Sequence, residues 1–250
     1  MPRFFIQNEN IEVCDGKTVA HIYGDDAFHI ARALRMAVGD QLTVSDEDGN
    51  EYEATLTHIR DEEATALLGE CRVGTSESPV LITLYMAYPK GDKLEVVIQK
   101  AVELGASRIV PFESSRCIKR PKADKIEEKT RRLSKIAAEA AKQCGRARLP
   151  EVTKPLAFAQ MLEEAARAEI ALFCYEGEGT RSIRALLCER EVPRTLAVVV
   201  GCEGGFSPEE AEAAREKGLL MTGLGTRILR CETAPDYALS AISYQFELKN

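Results

Sequence analysis

The chain has 250 residues, of which 45% are hydrophobic and 29% are charged. This composition can bury a sizeable core, so it excludes a wholly disordered protein, and the length allows one large or two small domains. The N-terminus has no apolar signal-type segment and no apolar run is long enough to span a bilayer, so we expect a soluble, cytoplasmic protein with no membrane partner.

Cysteine and histidine usage argues against a metal site. The eight cysteines are scattered without a Cys-x-x-Cys pair, and the three histidines all lie in the first quarter of the chain. Free thiols of a reducing compartment explain this pattern better than disulfides or zinc ligands. We therefore expect no metal and no histidine-based catalytic triad.

Charge is distributed unevenly along the chain, whose formal net charge is −7. Residues 116–154 hold 13 Lys/Arg and 5 Asp/Glu, whereas residues 1–73 hold 6 and 15. A basic segment on an acidic protein favours a polyanionic partner such as nucleic acid. A solvated helix face explains the same pattern, and charge alone does not separate the two interpretations.

The first 73 residues have the pattern of a β-rich domain. Two predicted strands, 41–45 and 52–59, flank Asp48-Gly49-Asn50, which is a strong hairpin signal, and Tyr52, Ala54, Leu56 and His58 alternate with polar residues. One helix is predicted over 27–36. Such a domain fits a small barrel that positions RNA through a few arginines, and a packing or dimer-support module fits equally well.

Residues 74–79 are typical of a linker, and from residue 80 the pattern changes to alternating strands and helices. We predict a strand over 80–87, a helix that begins at Asp92 and ends at Gly105, and a strand over 108–112. Lys90 lies in the first strand-to-helix loop, where a ligand-facing and a solvated lysine are equally plausible. A long helix then begins near Asp124 and ends at Gly145, with basic residues on its exposed faces.

A helix near 156–168 and a strand over 170–174 come next, followed by the turn Tyr175-Glu176-Gly177. The apolar run 196–200 is short and β-branched, which favours a strand buried on both faces of a parallel sheet. The loop after it should then lie at a ligand crevice. It contains three glycines and ends in Ser207-Pro208-Glu209-Glu210, which predicts a capped helix.

The glycine loop lacks the spacing of a dinucleotide or phosphate loop. A carboxylate among the glycines, Glu203, would repel a phosphate, so a neutral or cationic guest is favoured. After a strand predicted over 219–224, residues 225–234 form an apolar loop that we expect to be buried, with Thr233 capping the last helix. Taken alone, either loop also fits a buried crossover with arginines paired to carboxylates.

Two segments, one strand-helix unit apart, carry a family resemblance: Gly201-Cys202-Glu203-Gly204-Gly205-Phe206-Ser207 and Leu224-Gly225-Thr226-Arg227-Ile228-Leu229-Arg230-Cys231-Glu232-Thr233-Ala234. Together they resemble the RsmE family, the 16S ribosomal RNA uracil-N3 methyltransferases of the SPOUT superfamily. Residues 1–5, 89–93, 103–105 and 139–146 extend the resemblance. The chain departs from the family pattern at Cys202, usually proline, and at Cys144, usually serine.

The resemblance implies an α/β fold with a C-terminal SPOUT-type trefoil-knotted parallel sheet and an N-terminal PUA-like β-barrel domain. The barrel, residues 1–73, would position RNA, and residues 74–250 would bind S-adenosylmethionine in a knot built from the loops after three strands. The implied reaction is S-adenosylmethionine-dependent methylation of uridine N3 in 16S ribosomal RNA of the small subunit. The resemblance also implies a homodimer that the last helix, 234–248, helps to form; packing on its own sheet is the alternative for that helix.

The resemblance and the loop positions together give the candidate site residues. The cofactor-binding candidates are Tyr175, Glu176, Val200, Gly201, Glu203, Gly204, Gly205, Leu224, Gly225, Ile228, Leu229 and Arg230. The RNA-binding candidates are Arg3, Arg116, Lys119, Arg120, Lys122, Gln143 and Arg146. Without the resemblance, Gln143 and Arg146 would be an ordinary helix C-terminus.

Methyl transfer to uracil N3 requires loss of the imide proton, and the resulting charge spreads to the flanking carbonyl oxygens. An arginine that donates to one of these oxygens would stabilise it, with Arg230 the first candidate and Arg146 the second. Glu203 would accept the proton or fix a ribose hydroxyl, and the second role is slightly favoured. A SPOUT enzyme with another target, an RNA-binding assembly protein without catalysis and, more distantly, a nicotinamide oxidoreductase are the alternatives.

Overall fold

The computed structural model describes residues 1–118 and 123–248. The chain divides into two compact units. The first combines Met1–Glu77 with Ala141–Leu149, and the second contains Ser78–Ala140 and the chain from Pro150 onward. Among the helices in these described ranges, none combines the length and the apolar character needed to cross a bilayer.

The first unit is built on a six-stranded sheet. Its strands and helix are β1 (Arg3–Phe5), β2 (Ile11–Cys14), β3 (Lys17–Tyr23), α1 (Gly24–Phe28), β4 (Gln41–Ser45), β5 (Asn50–Ile59) and β6 (Glu63–Val73), with a 3-10 turn at Asn8–Asn10 and a π-helical turn at His29–Ala33. The strand order is β1-β4-β5-β6-β3-β2. Among the described residues, β1 and β4 form the one parallel pair of this sheet, and its other strand pairs are antiparallel. The predicted β-rich N-terminal domain is therefore confirmed.

The core of the first unit lies on one face of this sheet. Ala54 and Leu56 of β5 are buried in it, as the alternation in the sequence predicts. His58 is exposed, because the pairing of β5 with β6 shifts register between Leu56 and His58. Ile59 consequently packs against the core in its place. A bulge that adds one residue reverses the faces of the strand beyond it.

The second unit is built on a larger, wholly parallel sheet. Its elements are β7 (Leu81–Ala87), α2 (Lys93–Glu103), β8 (Ala106–Glu113), a 3-10 turn (Ala123–Lys125), α3 (Ile126–Cys144, whose residues up to Ala140 belong here), β9 (Glu151–Val152), β10 (Leu156–Ala157), α4 (Phe158–Ala165), β11 (Ile170–Cys174), β12 (Arg181–Ser182), α5 (Ile183–Cys188), β13 (Thr195–Val200), α6 (Pro208–Glu216), β14 (Leu220–Gly223) and α7 (Thr233–Phe246). The strand order is β10-β8-β7-β13-β11-β14-β12, with β9 paired to β8.

The order of the central strands determines which loops meet. β11 pairs in parallel with both β13 and β14, so the carboxyl ends of these three strands lie side by side. Leu196–Val200 of β13 is buried throughout, as expected for a central strand covered on both faces. The loops that follow the three strands therefore start from one edge of the sheet. The trefoil knot itself stays a prediction.

Candidate active site

A cavity of about 500 Å³ lies at the edge of the sheet where β11, β13 and β14 end. The loops that follow these three strands form its wall, together with Lys93 at the start of α2 and Ala234 in α7. Crevices at the carboxyl ends of parallel strands are the usual ligand sites of open α/β sheets. A cavity of this size can enclose a ligand as large as a nucleoside derivative.

All but one of the predicted cofactor residues line this cavity: Tyr175, Glu176, Val200, Gly201, Glu203, Gly205, Leu224, Gly225, Ile228, Leu229 and Arg230. The exception is Gly204. Its carbonyl accepts a hydrogen bond from Nη1 of Arg116 at 2.7 Å, and a Cβ atom added to it would lie 3.1 Å from the Arg116 Cβ. Gly204 therefore anchors the loop that contains Arg116.

The glycine loop after β13 is tightly folded. Gly205 N–H donates to the Cys202 carbonyl at 2.9 Å, and Gly205 has φ +62°, which favours glycine. A Cβ atom on Gly201 would lie 3.1 Å from backbone atoms of Gly205, so a larger residue would push the two arms of the loop apart. The side chain of Phe206 is buried, with its ring centroid 4.2 Å from that of Phe173. The loop backbone is thus fixed at the cavity wall.

The predicted capping box at the end of this loop is confirmed. Ser207 accepts from the Glu210 N–H, and the Glu210 carboxylate accepts from the Ser207 N–H at 2.9 Å. Glu210 is buried and also accepts from the N–H of Ser115, which follows β8, at 2.7 Å. One carboxylate therefore joins the start of α6 to the loop after β8.

A cluster of charged groups lies beside the glycine loop. The Glu203 carboxylate accepts a hydrogen bond from the backbone N–H of Lys90, at 3.1 Å and 3.3 Å to its two oxygens. The Lys93 ammonium lies 3.2 Å from Glu203 and 3.1 Å from Glu232. Sequence reasoning missed Lys93 as a cavity residue and left the role of Lys90 open.

These contacts fix the charge state of Glu203. Its partial burial raises the pKa, but hydrogen bonds from its own backbone N–H, from the Lys90 N–H and from Lys93 outweigh burial and lower the pKa overall. Glu203 is therefore an ionised acceptor at neutral pH and a weak base. In the same cluster, the bonds to Glu232 and then to Glu203 raise the pKa of Lys93, which keeps its ammonium charged.

The loop after β14 is exposed rather than buried, contrary to the expectation from its apolar sequence. Ile228 is 84% exposed, and Arg227 and Arg230 are exposed beside it. Within residues 1–118 and 123–248, neither guanidinium forms a hydrogen bond or ion pair. Glu203 and Glu232, carboxylates of the two loops that carry the family resemblance, pair with Lys93.

Arg146, the second catalytic candidate, does not line the cavity. It belongs to the first unit, where its guanidinium is only 4% exposed and donates from Nε to Glu77 at 3.0 Å. Gln143 belongs to the same unit and is exposed. Arg146 therefore makes a structural contact at the helix terminus, whereas the RNA-binding role of Gln143 stays a prediction.

The remaining RNA-binding candidates are scattered. Arg3 lies in the first unit, where its Nη1 donates to Ser45 Oγ at 2.8 Å and also pairs with Glu51. Arg116 is exposed in the loop after β8. Lys119, Arg120 and Lys122 lie outside the described residues.

The cysteine at position 202 has a partner that the sequence did not indicate. Cys117 and Cys202 are both buried, and the hydroxyl of Ser114 lies 3.3 Å from the first sulfur and 3.9 Å from the second. Hydrogen bonds from Cys202 and then from Ser114 outweigh burial and lower the pKa of Cys117. The same contact with Cys117, followed by burial, raises the pKa of Cys202.

Comparison with known proteins gives the class of this protein. A family model described as an RNA methyltransferase domain matches residues 76–243, and one described as an RNA methyltransferase PUA domain matches residues 22–68. The parallel sheet with its cavity and the N-terminal sheet therefore belong to an RNA methyltransferase with a PUA domain.

Individual relatives narrow the class. The chain is 35% identical to ribosomal RNA small subunit methyltransferase E of Bacillus subtilis over 99% of this chain and 98% of the relative. It is 35% identical to the same protein of Synechocystis over 88% of this chain and 71% of the relative. The chain belongs to the ribosomal RNA small subunit methyltransferase E family, which confirms the resemblance carried by the glycine and arginine loops.

A solved structure supports the fold. The ribosomal RNA small subunit methyltransferase E of Neisseria gonorrhoeae bound to S-adenosyl methionine has a TM-score of 0.85 and 29% identity to this chain. The similarity covers 97% of each chain. The predicted α/β class, with an N-terminal PUA-like domain and a C-terminal parallel sheet, is thereby confirmed.

Proposed function

We propose that this protein transfers a methyl group from S-adenosylmethionine to N3 of a uridine in 16S ribosomal RNA of the small subunit. The observation that carries the proposal is the cavity at the ends of β11, β13 and β14, which has an exposed, unpaired Arg230 on its wall among the described residues. Membership in the small subunit methyltransferase E family supports the RNA class. The site of action would be the cytoplasm, where the subunit is made.

The cavity suits S-adenosylmethionine in size and in charge. Its volume of about 500 Å³ fits a nucleoside with an amino-acid side chain, and Gly201 and Gly205 bring bare backbone to its wall. The carboxylates of Glu176 and Glu203 disfavour a phosphate-bearing ligand and favour a cationic one. When bound, this cofactor supplies a methyl group that its sulfonium has already activated.

Arg230 is proposed as the residue that stabilises the nucleophile. As the imide proton leaves N3, negative charge moves to the flanking carbonyl oxygens, and a guanidinium donates strongly to such an oxygen. The backbone of Arg230 is held in place, because its carbonyl accepts from the N–H groups of Thr233 and Ala234 at 2.9 Å and 3.0 Å. These contacts fix the point on the cavity wall from which the Arg230 side chain extends.

Glu203 is proposed as the group that orients the cofactor rather than the base that removes the proton. Its lowered pKa favours the ionised form and makes it a weak proton acceptor near pH 7. Lys90 and Lys93 already occupy part of its hydrogen-bonding capacity. The free positions on its oxygens would accept from a ribose hydroxyl.

RNA is proposed to contact both parts of the chain. Residues 1–73, the PUA-like domain, would position the RNA, and residues 74–250, the proposed knotted domain, would bind the cofactor. The basic segment around Arg116, with Lys119, Arg120 and Lys122, would contact phosphates. Gln143 at the end of α3 is exposed and available to RNA, whereas Arg3 and Arg146 contact carboxylates.

A homodimer is proposed on the basis of the exposed apolar residues of α7 and the segment just after it. Tyr237 is 42% exposed, Tyr244 74% and Leu248 66%. Tyr237 and Tyr244 are seven residues apart, which places them on one face of α7, and Leu248 follows just after the helix. An apolar helix face of this kind is typical of a surface covered by a partner.

The experiment that tests the proposed function uses RNA from cells that lack the gene. Purified protein is incubated with their small subunits, or with free 16S ribosomal RNA, and labelled S-adenosylmethionine, and the nucleosides are analysed by mass spectrometry. We expect a new N3-methyluridine. A methylated ribose or another methylated base would identify a different reaction of the same class, and cofactor binding without transfer would identify an RNA-binding protein that has lost catalysis.

A further inference from the structure

Lys93 connects three loops of the second unit at the cavity wall. It is the first residue of α2, which follows β7, while Glu203 follows β13 and Glu232 precedes α7. Its ammonium lies 3.2 Å from Oε1 of Glu203 and 3.1 Å from Oε2 of Glu232. The two carboxylates therefore lie within two hydrogen-bond lengths of each other, with one cation between them.

This cluster is partly shielded from water. The side chains of Lys93, Glu203 and Glu232 are 33%, 28% and 27% exposed. At such exposure the interaction of charges is weaker than in a protein interior but stronger than between fully solvated groups. Without the ammonium, two ionised carboxylates would face each other beside a cavity wall that the same loops form.

We propose that Lys93 is a positioning residue of the cofactor site, which holds the loops of Glu203 and Glu232 together and leaves the cluster with one net negative charge. This proposal rests on the proposed function, because it takes S-adenosylmethionine as the ligand. A ligand with one net positive charge is complementary to this cluster. Lys93 acts through the two carboxylates.

The groups that face the Lys93 ammonium predict a pH-dependent signature. They are Glu203, Glu232 and the thiol of Cys231, which lies 3.9 Å away. Burial is the largest cause that raises the pKa of Cys231 to about 12, so this thiol stays neutral. The pKa values of Glu203 and Glu232 are lowered, so both stay ionised at pH 5.5 and above in the unmodified protein.

Lys93→Met removes the hydrogen bonds and the positive charge by which Lys93 lowers the pKa values of Glu203 and Glu232. The two carboxylates then repel each other, so both pKa values rise. The test measures S-adenosylmethionine affinity by calorimetry between pH 5.5 and pH 8. We expect at least about tenfold weaker binding at pH 8, because one partner of a hydrogen-bonded charge pair is removed. The loss, taken relative to the unmodified protein at the same pH, should shrink as pH falls and the carboxylate pair takes up a proton, because titration of the ligand's own amino group affects both proteins alike.

A second variant and a control separate positioning from general damage. Lys93→Met combined with Glu232→Gln removes the repulsion and should recover most of the affinity at pH 8. Lys100→Met is the matched control, because Lys100 lies on the same helix and pairs with Glu103 at 2.8 Å, but does not line the cavity. It should bind the cofactor as the unmodified protein does.

The melting temperature without cofactor provides a second readout. The difference between the unmodified protein and Lys93→Met should grow from pH 5.5 to pH 8 and decrease when Glu232→Gln is added. Unchanged affinity in Lys93→Met, or an equal loss at every pH that Glu232→Gln does not relieve, would overturn the positioning role. Failure of the unmodified protein to bind S-adenosylmethionine would instead reject the proposed function and, with it, this ligand for the cluster.

Discussion

The guanidinium of Arg146 is held against the carboxylate of Glu77, at 3.0 Å from Nε to Oε1. The same carboxylate accepts hydrogen bonds from the backbone N–H groups of Ala147 and Arg148 at 2.9 Å and 3.1 Å. Glu77 thereby fixes the turn that follows α3 within the first unit. This geometry supports a structural role for Arg146 over its role as second catalytic candidate.

Replacement of Arg146 should reduce stability. Arg146→Met leaves the Glu77 carboxylate, 22% exposed, without its cation, so we expect a loss of about 3 kcal/mol in the free energy of unfolding. Urea denaturation monitored by circular dichroism measures it. Arg148→Met, which removes an exposed arginine bonded to the Asp48 carbonyl, is the matched control and should lose less. A variant of Arg146 that is fully stable yet inactive would favour the catalytic role instead.

The same pair predicts how stability depends on pH. Burial raises the pKa of Glu77, but the hydrogen bond from Arg146, its charge and two backbone N–H groups outweigh burial, so the pKa lies below the usual value of 4.5. A carboxyl with a lowered pKa stabilises the fold fully above its unfolded-state pKa, and this contribution is lost as pH falls through the lowered value. The stability difference between the unmodified protein and Glu77→Gln should be constant from pH 8 to pH 5.5 and shrink below pH 4.5. A difference that persists unchanged at pH 3 would contradict this assignment.

Local signals in the sequence predicted the elements of the second unit well, and the caps show where such signals fail. Ser207 and Glu210 form the predicted capping box, because both partners lie within one turn. Asp92 occupies the predicted cap of α2 but forms no side-chain cap bond. Thr233 is predicted to cap α7 but is its first helical residue. The chain already turns before it, because the Arg230 carbonyl accepts a hydrogen bond from the Thr233 N–H.

Contacts between distant segments could not be predicted from the sequence. The sequence does predict that the loops after three successive strands meet, because parallel strands end at the same edge of a sheet. Nothing in the chain indicated that Lys93 reaches Glu203, 110 residues later, since the pairing depends on which loops the sheet brings together. The apolar sequence around Ile228 predicts burial, but Ile228 lies on the cavity wall and is exposed.

The exposed face at α7 leads to a prediction about the oligomer. Tyr244→Glu places a charge on the proposed dimer surface, where burial of an unpaired carboxylate is unfavourable. Light scattering at micromolar concentration should show a dimer for the unmodified protein and a monomer for the variant. Tyr23→Glu, at a tyrosine 51% exposed in the first unit, is the control and should stay dimeric. A monomeric unmodified protein that methylates RNA at nanomolar concentration would exclude an obligate dimer.

The basic segment leads to a prediction about salt. Charge reversal at Lys119, Arg120 and Lys122 should weaken RNA binding and flatten its dependence on salt concentration. Each lost phosphate contact lowers the slope of log K against log salt by ~0.7 to 0.9, because fewer counterions are released. Fluorescence anisotropy with a labelled RNA fragment at several salt concentrations measures the slope.

The control for this experiment changes the net charge equally at another surface. Arg190, Arg194 and Lys217 are exposed in loops before β13 and after α6. Their reversal should lower affinity through the general charge effect while leaving the slope almost unchanged. If the variant of the basic segment also keeps the full slope, the phosphate contacts lie elsewhere, and the PUA-like domain is the next surface to test.

The last prediction separates catalysis from binding at Arg230. If its guanidinium donates to the uracil oxygen as charge develops, Arg230→Ala removes an interaction that is stronger in the transition state than in the ground state. The turnover number should then fall about a hundredfold, roughly 3 kcal/mol by analogy with oxyanion-hole donors, while cofactor affinity and melting temperature barely change. Arg230→Lys should recover little activity, because a single ammonium cannot reproduce the planar donor fork.

Arg227→Ala is the matched control for this variant. Arg227 is exposed in the same loop and lines the same cavity, but the proposed mechanism assigns the donor role to the Arg230 guanidinium. The loss of turnover should therefore be smaller for Arg227→Ala. If Arg230→Ala binds the cofactor more weakly, melts at a lower temperature and loses activity together, Arg230 supports the structure of the loop. If the variant binds, melts and methylates as the unmodified protein does, Arg230 has no part in the mechanism.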